Sequence, residues 1–209
     1  MKFIDFTAAQ VEWAFNVIIT QSNSFSVIIT AEEKAFDDIQ VTKTGDTLKI
    51  GCKLDLFRGL PIKSVPPKMR RAKITMPELY KLNLSGATRG EVKGFSSSHN
   101  LVLGLSGTSS LEMIDMSVGD VRVDLSGASN LKAKGLANNL HITASGASHL
   151  DLSEFPLHDA NVNLSGASRA TVNLDGVLDA NLSGASRLKY IGQPTIRNIQ
   201  TSGGSKVAN

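Results

Sequence analysis

The sequence predicts an all-β fold: a β-solenoid (β-helix) of about 20-residue coils with an N-terminal β-strand cap. Three observations carry this. Ser-Gly recurs at 85-86, 106-107, 126-127, 145-146, 165-166, 183-184 and 202-203, with spacings of 21, 20, 19, 20, 18 and 19. Aliphatic residues alternate with polar ones on both sides of each copy. Glycine is plentiful (18 residues) while aromatics make up only 5%, so a core must come from thin aliphatic layers.

Each coil can be justified in order. Aliphatics stand five, three and one positions before the first serine, as in Leu101/Leu103/Leu105, Val121/Val123/Leu125, Leu140/Ile142/Ala144 and Ala160/Val162/Leu164. A period of two is a strand. Ser-Gly-Ala-Ser follows (126–129, 145–148, 165–168, 183–186), with close variants at 85–88, 106–109 and 202–205. A second alternation comes after it, at Leu111/Met113, Leu131/Ala133, Leu150/Leu152, Ala170/Val172 and Leu188/Tyr190. Two strands and a bend, with turn chemistry and space for a third short strand, cannot bury an apolar face alone. Stacking at roughly 4.8 Å per layer makes the core continuous. Gly86, Gly107, Gly127, Gly146, Gly166, Gly184 and Gly203 are then structural corners, where φ is positive or the next layer leaves no space for a Cβ. The serine hydroxyls suit the same corner by bonding turn backbone.

Residues 1–80 lack the tetrad and read as a cap contiguous with the solenoid at 81–209. Strands are expected at Phe15–Thr20, Phe25–Thr30, Ile39–Thr42 and Thr47–Ile50, with a Gly45-Asp46 hairpin turn and one short helical turn within Ala31–Asp38. Trp13 and Phe3, Phe6, Phe15, Phe25 and Phe36 gather here, as expected of a plug over an exposed terminal layer. Pro61–Lys73, with three prolines, reads as an irregular excursion. The last coil ends at Val207-Ala208-Asn209 without a cap, which leaves a strand edge for homo-oligomer contact.

These residues are also familiar as a group. The runs Phe15–Gln21, Phe25–Thr30, Gly45–Ile50 and Ile74–Leu79, leading into Leu82–Ala87, closely resemble the family described as putative auto-transporter adhesin, head GIN domain. The resemblance covers nearly the whole chain in order. It implies a β-helical domain of unknown function from bacterial cell-envelope proteins, adhesin-like, with no catalytic residues to carry over. A cell-envelope or extracellular location is implied in the same way. No signal peptide is visible, because Asp5 and Glu12 interrupt any apolar stretch after Met1-Lys2; a removed leader leaves the same record, and cytoplasmic location is the alternative.

Function classes narrow accordingly. A net charge of +3, from 22 basic and 19 acidic residues, implies no nucleic-acid partner, and no apolar run is long enough for a transmembrane segment. Cys52 stands alone, so no internal disulfide forms. A serine motif present seven times is architecture rather than a nucleophile, and Gly104-Leu105-Ser106-Gly107 is one residue short of a nucleophile elbow. Ser202–Lys206 lacks both the spacing and the following helix of a phosphate loop. His99, His141, His149 and His158 read as surface residues, so no metal centre and no cofactor are expected. Asp120, Asp124, Asp151, Asp175 and Asp179 fall at different places in the repeat, which argues against a carboxylate cluster of the kind found in polysaccharide-cleaving β-helices.

Two basic features remain as candidate ligand-binding residues. Four positions past the motif serine, Arg169, Arg187 and Lys206 stack in successive layers about 5 Å apart, where like charges repel by roughly 1 kcal/mol per pair in water. The first account of this row is charge that keeps an exposed face from aggregating; the second is an anion contact. Lys68, Arg70 and Arg71, with Lys63 and Lys73, form the other cluster, a solvated loop or a contact for anionic polysaccharide or lipid headgroups. The outward rows Arg122/His141/Asn161/Asp179 and Asp124/Thr143/Asn163/Asn181 make a flat hydrogen-bonding surface suited to a glycan or a surface protein. The expected function is therefore non-enzymatic display or binding. Its rivals are an enzyme acting on acidic polysaccharide and an intracellular pentapeptide-repeat-like scaffold, which Ala180–Leu188 locally imitates.

Overall fold

Alternation and corner chemistry produce two 10-stranded sheets that face each other across the core. The computed structural model describes residues 3–53 and 70–209. In chain order come β1 (Ala8–Val11), β2 (Asn16–Gln21), β3 (Ser26–Thr30), the single turn α1 (Glu33–Phe36), β4 (Ile39–Thr44), β5 (Thr47–Cys52) and β6 (Arg71–Met76). The coils that carry the tetrad then supply two strands each: β7 (Lys81–Leu84) and β8 (Arg89–Lys93), β9 (Leu101–Leu105) and β10 (Ser110–Ser117), β11 (Val121–Leu125) and β12 (Asn130–Leu136). The series continues with β13 (Leu140–Ala144) and β14 (His149–Leu157), β15 (Ala160–Leu164) and β16 (Arg169–Leu174), β17 (Val177–Leu182) and β18 (Arg187–Ile191), β19 (Thr195–Thr201) and β20 (Lys206–Ala208).

The first sheet runs β19-β17-β15-β13-β11-β9-β7-β1-β5-β4, and the second β20-β18-β16-β14-β12-β10-β8-β2-β6-β3. From β5 and β6 onward every pairing is parallel, as a coil that always turns the same way requires. Among the described residues only β4 on β5 and β3 on β6 run antiparallel, each at the outer edge of its sheet at one end of the stack. The predicted inward rows pair in register, with Leu101 on Val121, Val121 on Leu140 and Leu140 on Ala160, all buried. The expected third strand is instead a continuation of β10, β12 and β14 past a bulge, with Asp115 at φ 56 and Gly135 at φ 141. That bend turns Met116 and Phe155 into the core.

The N-terminal residues do more than plug an end. Strands β1 and β2 form a complete layer lying between β5/β6 and β7/β8, so the chain starts inside the stack and β7 steps over that layer. Phe6 and Phe15 are fully buried, and Phe6 packs on Phe25 with ring centroids 4.9 Å apart. Trp13 and Phe36, expected in the plug, are surface residues at 40% and 49% exposure. Pro61–Lys73 is not irregular throughout, because Arg71–Lys73 belong to β6 and pair with β2; its earlier part lies outside the described residues. At the other end β19 is exposed along its length, including Ile196 and Ile199. No helix among the described residues is long and apolar enough to cross a membrane.

Candidate functional site

The corners decide which serines are available. The tetrad's last residue is Thr88, Ser109, Ser129, Ser148, Ser168 or Ser186, and these are the buried polar side chains among the described residues. Each hydroxyl donates to the carbonyl of the tetrad's first residue at 2.6–2.8 Å, which satisfies it locally. The glycine carbonyl accepts from the amide one layer on at 2.7–2.8 Å. All seven corner glycines have φ between 69 and 76. From Gly107 onward a Cβ would lie 2.4–2.7 Å from the carbonyl oxygen of the preceding glycine, so both expected reasons for glycine operate together. The last serine of the tetrad is architecture in this fold, while the first, at Ser85, Ser106, Ser126, Ser145, Ser165, Ser183 and Ser202, is half-buried or exposed.

A second ladder fixes the opposite corner, at a position that sequence reading took as generic turn. Asn100 Oδ1 accepts from the Asp120 amide at 3.0 Å, Asn139 Nδ2 donates to Asp120 Oδ1 at 2.9 Å, and Asp159 Oδ1 accepts from the Val177 amide at 2.7 Å. The signal was present, since residues 100, 120, 139 and 159 each lie six before the motif serine and are all Asn or Asp.

The outward face of the first sheet carries the two polar rows in the expected register. Arg122 pairs with His141, His141 with Asn161 and Asn161 with Asp179; Asp124 pairs with Thr143, Thr143 with Asn163 and Asn163 with Asn181. At the β15–β17–β19 end the rows sink into a groove of about 350 Å³ lined by Asn161, Asn163, Asp179, Asn181, Asn198 and Gln200. A register shift between Leu178 and Asp179 sends Arg197 out of its row, where its guanidinium pairs with Asp179. That partner raises the Arg197 pKa. Asn163 Nδ2 donates to Asn161 Oδ1 at 2.9 Å, so neighbouring amides orient one another. The other carboxylate of these rows, Asp124, holds Arg122 at 3.1 Å. The face therefore offers carboxamides that both donate and accept, with its acids already engaged.

Four of the cationic candidates, Arg71, Arg169, Arg187 and Lys206, fall in one row. Arg169 pairs with Arg187 and Arg187 with Lys206, all exposed, while His149 precedes them opposite Arg169. Arg71 lies in the same row at the far end, separated from Arg89 by Asn16. Arg70 instead turns back to the corner, donating from Nη1 to the Trp13 carbonyl at 3.3 Å. Lys68 and Lys63 lie outside the described residues.

The histidines are scattered. His99 packs tilted against Tyr80 with centroids 4.9 Å apart and has Nε2 3.6 Å from Glu78; burial, then the Glu78 charge, raises the Tyr80 pKa. His158 lies 3.1 Å from Asp175 and 3.8 Å from Asp159. No group of three His, Cys, Asp or Glu that could hold a metal ion occurs among the described residues. The Cys52 thiol is pushed up by burial, an effect that Arg70 partly offsets.

Comparison with known proteins agrees with this architecture. A putative adhesin from Bacteroides fragilis matches with a TM-score of 0.89 at 20% identity, covering 100% of this chain and 94% of that one. A putative lipid binding protein from Parabacteroides distasonis matches with a TM-score of 0.71 at 20% identity over 100% and 94%. A putative adhesin from the same species follows at 0.61 and 14%, with the same coverage. At such identities the likeness shows the fold. No curated protein matches. The description "putative auto-transporter adhesin, head GIN domain" matches residues 5–194, and the chain belongs to that family.

Proposed function

We propose that this protein is an adhesin-like binding protein of the cell envelope or cell surface, whose first sheet holds an extended glycan along its outward polar rows. The observation that carries the reading is the amide-lined groove of Asn161, Asn163, Asn181, Asn198 and Gln200. Parallel in-register strands repeat the same two outward positions about every 4.8 Å, and on β15 and β17 these carry Asn161, Asn163 and Asn181, so a hydroxyl-rich polymer meets carboxamides in successive layers. A carboxamide can supply both halves of a hydroxyl's hydrogen bonding, which suits an uncharged, repetitive ligand. The reading is non-enzymatic: the buried hydroxyl that ends each tetrad bonds a carbonyl of its own corner, and Asp124 and Asp179 are each held by an arginine.

A glycan array followed by calorimetry tests this. The expected result is weak, salt-tolerant binding of unbranched oligosaccharides, unchanged in length after incubation. Asn163→Leu with Asn181→Leu should weaken it by roughly tenfold, the loss of one to two net hydrogen bonds. An array silent at millimolar ligand, or binding untouched by that double variant, would refute the proposal.

A second reading rests on the register of Arg169, Arg187 and Lys206, continued at the other end by Arg71, with Arg70 and Lys68 near it in sequence. Three unscreened cations in line suit an acidic polymer, and binding there would fall steeply with salt. Polygalacturonate binding lost in Arg187→Gln and in high salt would favour this row over the amide groove.

A further inference from the structure

We propose that Trp13 is the stacking platform of a second carbohydrate subsite, one that receives a neutral pyranose ring at the opposite end of the sheet that carries the amide groove. This inference rests on the glycan-binding reading above and names a residue that reading does not use.

The corner at Trp13 departs from the repeat. Val11 pairs with Leu84 and Asn16 with Arg89, so Glu12-Trp13-Ala14-Phe15 occupies the place of Ser85-Gly86-Ala87-Thr88 in the adjoining layer. Trp13 stands where the tetrad has glycine, and at φ 67 it keeps the glycine's left-handed backbone, with Ala14 beside it at φ 61. Left-handed conformation is a strained place for an indole-bearing residue, and such strain persists where surrounding structure holds it and function uses it.

The indole is 40% exposed at the edge of a groove of about 160 Å³. The ring lies over Gly51 of β5, at a distance where an added Cβ would make ordinary van der Waals contact with Trp13 Cδ1, 3.5 Å away. Around it the register sets Gln10, Lys49 and Thr42 in one outward row across β1, β5 and β4, with Gln40 opposite Gly51 in the next. Gln10 Nε2 donates to Glu12 Oε1, so that carboxylate also faces the groove. One acid, one base, two carboxamides and a hydroxyl beside an aromatic face give a lining without net charge. A pyranose ring presents apolar C–H groups on its face and hydroxyls around its rim, and this pairing of an amphipathic aromatic with rim-directed amides matches both. Gln10 pairs with Asn83, the start of the outward row that reaches Asn163 and Asn181, so both subsites share one face. They lie six strand steps apart, from β1 to β17, roughly 29 Å.

Trp13 is the single tryptophan of the chain, so its emission reports this site alone. Cellohexaose, chitohexaose and mannohexaose are titrated into the full chain, with fluorescence and calorimetry in parallel. At least one hexaose should shift the emission along a curve that matches the calorimetric isotherm. Trp13→Ala should weaken binding by roughly tenfold and Trp13→Phe, which keeps a ring, by less. Both variants are compared with the parent by circular dichroism, and the fluorescence titration of unaltered protein stands whether or not they fold. Calorimetric binding without an emission change, equal affinity in a folded Trp13→Ala protein, or no binding of any hexaose would overturn the inference. If Asn163→Leu/Asn181→Leu abolishes binding while Trp13→Ala does not, the amide groove stands and the Trp13 subsite falls. The converse pattern keeps the subsite and removes the groove.

Discussion

Replacing Gly146 with alanine isolates what the stacked corner demands. Gly146 has φ +74, and its added Cβ would lie 2.4 Å from the Gly127 carbonyl oxygen, the same oxygen that accepts from the Ala147 amide at 2.7 Å. Left-handed backbone costs a non-glycine residue about 1–2 kcal/mol. Relief of the overlap must push two layers apart or bend the bond to Ala147, at about 1–3 kcal/mol. Gly94→Ala is the matched control: φ is +72, yet nothing lies within 4 Å of its Cβ. The effect of alanine on the unfolded chain is common to both and cancels in the difference. Gly146→Ala should therefore lose about 1–3 kcal/mol more than Gly94→Ala. Urea unfolding followed by circular dichroism measures the difference, and amide exchange in β13 and β15 shows whether the loss is local, since coil arrays can open in parts. Equal losses, within about 0.5 kcal/mol, would refute the claim that layer contact rather than backbone conformation fixes glycine at these corners.

Four other outcomes follow from the same geometry. Ser148→Ala should cost about 1–2 kcal/mol, because it removes a buried bond of 2.8 Å to the Ser145 carbonyl, whereas the exposed Ala147→Ser should be neutral in the same unfolding assay. The Asp151 carboxyl titrates below its ordinary value near 3.8, chiefly because the Ser153 hydroxyl bonds it at 2.7 Å. Its contribution to stability is thus present above pH about 4 and fades as pH falls through the lowered value; Ser153→Ala should return the titration, followed by NMR, toward the ordinary one. Cys52, raised above 9.0 mainly by burial, should react with a thiol reagent at pH 8 more slowly than a free peptide thiol, and its rate should still climb above pH 9. Arg187→Gln should raise the denaturation midpoint at low salt, with the gain shrinking at an ionic strength of about 0.5 M; a loss at low salt would show that the row is not repulsive.

The corners and the strands flanking them were legible because each is dictated locally and restated in every coil. Leu101, Val121, Leu140 and Ala160 align by counting back from a serine, and the structure pairs them as counted. The order of layers was not legible. Ala8-Ala9-Gln10-Val11 alternates too weakly to announce β1, and no local pattern says that it lies between β5 and β7. That placement depends on which edges are still open when the chain returns, a property of the whole stack. Arg71 was read as loop because prolines precede it, yet strand pairing on both sides draws it into β6. Trp13 was assigned to a plug by its size; its place in the glycine position appears only once Val11 is known to pair with Leu84.

The same stacking contact that makes the corners uniform tells where function can reside. An inward Leu140 or a corner Gly146 is held by the layers above and below, so its identity reports packing. Outward positions such as His141, Asn161 and Asp179 lie outside the packed layers and meet other outward side chains, as Asn161 meets Asn163 and Asp179 meets Arg197, so a coil can exchange them at less cost in stability than an inward residue. Their variation from layer to layer is thus compatible with a ligand surface without requiring one. Trp13 and Ala14 are different in kind, because they depart from the repeat at a strained backbone where glycine serves the same fold without strain. A departure that costs stability and creates an exposed aromatic beside polar side chains needs a compensating gain, and the proposed sugar contact is one that its surroundings can supply. The groove of Asn163 and Asn181 lies on the same face, so an extended chain held at Trp13 would run along the rows that lead to it.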